Sequence, residues 1–87
     1  MNQMTQQEFD VLAYLEMHQR ERVTQTDIAK ANYISIGSVN KIVRALKERR
    51  YLLEETRSVY TISEEGYVYL EPFRVKRAVL ILSLIHI

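Results

Sequence analysis

The sequence has no cysteine and no tryptophan, and only one proline and two glycines among its 87 residues. Without cysteine there is no disulfide framework, no thiolate metal site and no cysteine nucleophile. So few glycines and prolines leave little material for tight turns, and long regular elements are expected. Long apolar runs are missing too. The longest, Ala78 to Ile87, is about half of the ~20 residues that cross a bilayer, and Ser83 and His86 interrupt it. Met1 to Asp10 is polar and does not read as a signal peptide. The apolar share of 47% and charged share of 26% describe one small globular domain, expected to be soluble and cytoplasmic. A chain of this length buries roughly 60–65% of its unfolded surface, enough for one core without a deep cleft.

The net charge of +1 hides an uneven distribution. Residues 1–35 carry a balance of −2, and residues 51–71 a balance of −4. Between them, Lys41, Arg44, Lys47, Arg49 and Arg50 stand against Glu48 alone, giving +4 over residues 36–50. A short cationic segment flanked by acidic ones is the first functional signal.

Three helix starts are written in the side chains. Thr5-Gln6-Gln7-Glu8 and Thr24-Gln25-Thr26-Asp27 have the reciprocal capping spacing, and Ser35 is a third N-cap. Phe9, Leu12, Ala13 and Leu15 recur at helical spacing through Met17, and the polar run His18 to Arg22 ends that pattern. The second helix holds Ile28, Ala29 and Ala31 and stops near Asn32. In the third, expected to run to Arg49, Val39, Ile42, Val43 and Leu46 form an apolar stripe. Gly37, Asn40, Lys41 and Arg44 share that period half a turn away, facing outward. Tyr51-Leu52-Leu53 and Val59-Tyr60-Thr61-Ile62 are β-prone and predict an antiparallel hairpin joined by Glu54 to Ser58. Ser63-Glu64-Glu65 caps a last helix through about Leu70, ended by Pro72. The predicted class is mainly α with a small β-hairpin, in the order helix, helix, helix, hairpin, helix.

Asp27-Ile28-Ala29-Lys30-Ala31 followed by Ile34-Ser35-Ile36-Gly37-Ser38-Val39-Asn40-Lys41 resembles a helix-turn-helix. With the hairpin and Tyr60-Thr61-Ile62-Ser63-Glu64-Glu65-Gly66, residues 5–70 resemble the MarR-like winged helix-turn-helix proteins. The resemblance implies a domain over residues 1–71 that binds double-stranded DNA and regulates transcription, with the third helix in the major groove and the hairpin as wing. Two positions depart from the family pattern. Tyr33 stands where the turn usually has glycine, which makes Asn32 the candidate for the left-handed conformation, and Arg50 stands where glycine usually ends the third helix.

Residues 72–87 read as a linker and the truncated start of a following domain. Glu71 to Ile81 is similar to the segment leading into bacterial sugar-phosphate or phosphocholine nucleotidyltransferase domains, which implies a C-terminal enzyme domain in a longer chain. Leu82-Ser83-Leu84-Ile85-His86-Ile87 reads as a truncation scar.

A helix entering the major groove needs cations for phosphates and amide or guanidinium groups for base edges. Arg44 can fork onto guanine and Asn40 is the type that reads adenine. Lys41, Lys47 and the hydroxyls of Ser35 and Ser38 suit phosphates, as do backbone N–H groups at the helix start. Gly37 permits close approach, and Arg57 lies at the expected wing tip, where the family often sends an arginine into the minor groove. The plainer alternatives are a solvated helix face and an ordinary surface arginine. Six tyrosines are scattered over different elements and fit core edges better than a base-stacking platform. Arg74, Lys76 and Arg77 fit a solvated linker. Catalysis finds no support: His18 and His86 are far apart, Asp10 and Asp27 lack a partner at useful spacing, and there is no glycine-rich phosphate loop. No metal or cofactor is expected in this chain. The rival to DNA binding is a protein-interaction or regulatory module attached to the nucleotidyltransferase, for which the acidic balance of residues 51–71 speaks. Homodimerisation is left open.

Overall fold

The computed structural model describes residues 5–72. Helix α1 spans Gln6–Met17, α2 Gln25–Asn32 and α3 Ile36–Glu48. Strands β1 (Leu52–Thr56) and β2 (Val59–Ile62) form an antiparallel hairpin, and a fourth helix, α4, occupies 64–72 as far as the described residues run. This is the winged helix-turn-helix architecture, and each helix begins where its cap predicts. Thr5 and Glu8 exchange side-chain bonds with each other's backbone N–H at 3.1 and 3.0 Å, and Thr24 and Asp27 repeat the exchange at the same distances. The Ser35 hydroxyl accepts from the Ser38 N–H at 3.0 Å, and Ser63 accepts from Gly66 at 3.0 Å.

The α3 stripe of Val39, Ile42, Val43 and Leu46 is buried against Phe9, Leu12 and Leu15 of α1 and Ile28 and Ala29 of α2. Leu52, Tyr60, Ile62 and Leu70 close the same core from the hairpin and α4. Leu12, Leu15, Ile28, Leu46, Leu52 and Leu70 are fully enclosed, each contributing about 1.5–3 kcal/mol from its removal from water. Beneath the core, Glu8 is 9% exposed and meets Arg49 at 3.2 Å, tying the start of α1 to the end of α3.

Two turns differ from expectation. Asn32 remains in α2, donating its side-chain amide to the Ile28 carbonyl at 2.9 Å, while Tyr33 takes the left-handed conformation at φ 57°. The reason is the hydrogen bonding that ends the helix. Both Tyr33 N–H and Ile34 N–H return to the Ala29 carbonyl, which requires the reversal one residue beyond the last helical one. Arg50 does the same after α3 at φ 62°, with Arg50 N–H on the Lys47 carbonyl and Tyr51 N–H on Leu46. Both turns thus reach the left-handed conformation without a glycine.

The hairpin is tighter than predicted. The segment Glu54 to Thr56 is strand rather than connection, leaving only Arg57 and Ser58 as the turn. Glu54 pairs with Tyr60 and Thr56 with Val59, so Glu55 is the extra residue of a bulge. The Glu54 carboxylate also accepts from the Ser58 N–H at 2.9 Å, closing the turn from inside. Residues 20–23 add a short edge to β2, with Arg20 N–H on the Tyr60 carbonyl and Val23 N–H on Ser58. Pro72 lies within α4 instead of beyond it. The linker and scar readings of 73–87 lie outside the described residues.

Candidate nucleic-acid interface

Because the apolar stripe of α3 is spent on the core, the opposite face is left to water. Ile36, Gly37, Asn40, Lys41, Arg44 and Lys47 are all exposed, and helical spacing sets Ile36, Asn40, Arg44 and Lys47 along one line. The polar groups on this line are already ordered. The Arg44 guanidinium donates to the Asn40 carbonyl oxygen at 2.8 Å, and the Asn40 amide reaches the Gln25 carbonyl oxygen at 3.5 Å. A ladder of amide, amide and guanidinium therefore crosses from the start of α2 onto α3.

Asn40, Arg44, Lys47 and Arg57 come together on the wall of one open groove of about 930 Å³ between α3 and the wing. Ser35, Gly37, Ser38 and Lys41 are not part of that wall and lie toward the start or the other flank of α3. The Ser35 hydroxyl is engaged in capping and in a 2.9 Å bond to the Ser38 hydroxyl. A Cβ built on Gly37 would meet only Ser35 Oγ, at 3.9 Å, so nothing inside the chain demands glycine there.

The groove also holds residues the sequence pattern did not single out. Arg22 lines it and donates to the Arg57 carbonyl at 2.7 Å, holding the wing tip, while Gln25 and Thr24 bring the start of α2 to its rim. Four cations (Arg22, Arg44, Lys47, Arg57) face two carboxylates, Glu48 and Glu54. Glu64 and Glu65, which dominate the acidic balance beyond the wing, are exposed on α4 and do not line the groove. Lys47 meets Glu54 at 2.6 Å. That ammonium, followed by the Ser58 N–H, holds the Glu54 carboxyl below its ordinary range. Burial and then the nearby Glu54 carboxylate push the Tyr60 phenol up. At the head of α2, the Thr24 backbone N–H and then its hydroxyl lower the Asp27 carboxyl. Lys41 has no ion-pair partner among the described residues. Nor, among those residues, do three potential ligands from histidine, aspartate or glutamate gather as a metal site would need. No helix among them is long and apolar enough to cross a membrane.

The solved structures most like this chain include MepR, a transcription regulator of the Staphylococcus aureus multidrug efflux pump MepA. It superposes with a TM-score of 0.78 at 23% identity, over 95% of this chain and 64% of MepR. The S. aureus MepR–DNA complex gives 0.77 at 25% identity, over 95% of this chain and 63% of MepR. The chain thus spans less than two thirds of these relatives' length. No curated protein matches it. Neither the family match nor these structures supports the nucleotidyltransferase attachment expected from Glu71 to Ile81. The MarR family model matches residues 2–59, which include α1, α2, α3 and β1 and end at the first residue of β2. Two thirds of the sequence and the whole described fold therefore agree, and the chain belongs to the MarR family.

Proposed function

We propose that this domain binds double-stranded DNA by laying α3 in the major groove with the hairpin as a wing beside it, and that it regulates transcription by doing so. The observation that carries this reading is the exposed Asn40–Arg44 pair, four residues apart on a rod whose other face is locked in the core, with Gln25 of α2 accepting from Asn40 at its side. A relative of the same fold, MepR, has been crystallised with DNA. Asn40 is assigned to adenine, Arg44 to guanine, and Ile36, an exposed apolar side chain on the same face of α3, to a thymine methyl. Arg22, Lys41 and Arg57 are assigned to phosphates, with the Ser38 hydroxyl and the free N–H groups at the start of α3. Arg57 owes its position to the bond between Arg22 and its carbonyl.

One such domain offers modest affinity, so two copies on neighbouring half-sites are the expected functional form. Titration of a fluorescent mixed-sequence duplex at two salt concentrations tests the reading. Three phosphate contacts predict a loss of about fortyfold between about 50 and 200 mM salt. Equal affinity at both, or no binding at either, would overturn it.

A further inference from the structure

Among the described residues, Lys47 is the one groove cation in ion-pair contact with a carboxylate, Glu54 on the opposite wall, on which Arg57 acts only at longer range. Its ammonium lies 2.6 Å from Glu54 Oε1, while Glu54 Oε2 accepts from the Ser58 N–H at 2.9 Å. The acid is therefore fixed by the wing's own turn, and Lys47 is the partner that comes to it. The Glu54 side chain is 25% exposed and that of Lys47 42%, so the pair is partly shielded and reaches from the wing to the recognition helix. Its geometry is that of a cation on a phosphate oxygen, with a carboxylate oxygen in the phosphate's place.

We propose that Glu54 acts as an internal phosphate mimic, holding Lys47 away from the DNA backbone and thereby lowering sequence-independent affinity. The inference rests on the DNA-binding reading and assigns its regulation to one residue. Lys47 is one of the cations that helical spacing would count toward phosphate neutralisation, and the ion pair removes it from that count. Recognition is then left more to Asn40 and Arg44. The low-titrating Glu54 carboxyl stays charged at neutral pH, so the restraint is permanent under ordinary conditions. Glu48 supplies an internal control. It lines the same groove with the same charge but has no ion-pair partner among the described residues.

The test compares the parent domain with Glu54→Gln, Glu48→Gln and the double variant Glu54→Gln/Lys47→Gln, titrating a mixed-sequence fluorescent duplex across a salt series. Glutamine at position 54 keeps an oxygen for the Ser58 N–H and loses only the charge. Freeing Lys47 adds one phosphate contact, which steepens the slope of log K against log salt by about 0.9. Binding tightens by about fifteenfold at about 50 mM salt and about fourfold at about 200 mM. The double variant returns to the parent's affinity and slope, and Glu48→Gln gains less than about twofold, because it removes a charge without releasing a lysine. Equal gains from Glu54→Gln and Glu48→Gln would reduce the effect to the general field and overturn the proposal. Weaker binding by Glu54→Gln would make Glu54 a structural tether and overturn it as well. If the parent itself shows no salt-sensitive binding, the DNA-binding reading falls first and takes this one with it.

Discussion

One methyl group added at Gly66 should unseat α4. A Cβ there would lie 2.4 Å from the Tyr51 carbonyl oxygen, 2.8 Å from Ile62 Cγ2 and 3.2 Å from the Tyr51 carbonyl carbon. Ordinary contact begins at 3.4 Å, so α4 or the residue 51 backbone must retreat by about 1 Å. Neither moves freely. Tyr51 N–H is bonded to the Leu46 carbonyl at 3.0 Å, its carbonyl accepts from Ser63 N–H at 3.1 Å, and the Ser63 hydroxyl donates to the Arg50 carbonyl at 2.6 Å. Overpacking of this kind costs about 1–3 kcal/mol, and loosening one of these bonds adds about 1 kcal/mol. Better helix propensity returns at most about 1 kcal/mol. Gly66→Ala should thus lose about 2 kcal/mol, lowering Tm by roughly 8–16 °C in a domain of this size. Gly37→Ala is the matched control, since its Cβ has open space and the fold should gain up to about 0.5 kcal/mol. Thermal unfolding followed by circular dichroism reads both. A Gly66→Ala domain that melts with or above the parent would refute the close-approach argument.

Tyr33 is 94% exposed and left-handed, so Tyr33→Gly loses no packing and should stabilise by about 1 kcal/mol in urea unfolding. Glu8→Ala removes both the Thr5 cap bond and the Arg49 ion pair, and the same assay should show a loss of about 1–3 kcal/mol. Asp27 and Glu54 titrate lower in the folded chain than in the unfolded one. Their stabilisation is therefore present above the ordinary carboxylate values of 3.8 and 4.5 and is lost as pH falls through the lower folded values. Urea midpoints measured from pH 6 downward should fall in that acidic window, and Glu54→Gln should flatten part of the fall.

The features legible in the sequence are those made between near neighbours. A threonine and an acid three residues apart satisfy each other's backbone whatever surrounds them, which marked the starts at Thr5 and Thr24, and the Ser35 hydroxyl caps its own helix as locally. The outward face of α3 followed from its buried stripe for the same reason. Contacts across the fold left no such trace. Arg22 reaches the wing 35 residues away, Gln25 meets Asn40 across 15, and Lys47 finds Glu54 only because the hairpin folds back over α3. Read locally, Arg22 ended a helix and Glu54 began a loop. The length of the wing was hidden by the Glu55 bulge, and the left-handed Tyr33 by backbone bonds that outweigh its poor intrinsic preference.

The central claim is that the water-facing side of α3 is the surface that meets DNA. Retardation of a fluorescent duplex by a Lys41→Ala/Arg44→Ala variant tests it most directly, because both side chains are exposed and their removal leaves the core untouched. Retardation should be lost while the circular dichroism spectrum and Tm stay those of the parent. A folded double variant that retards the duplex as well as the parent would contradict it.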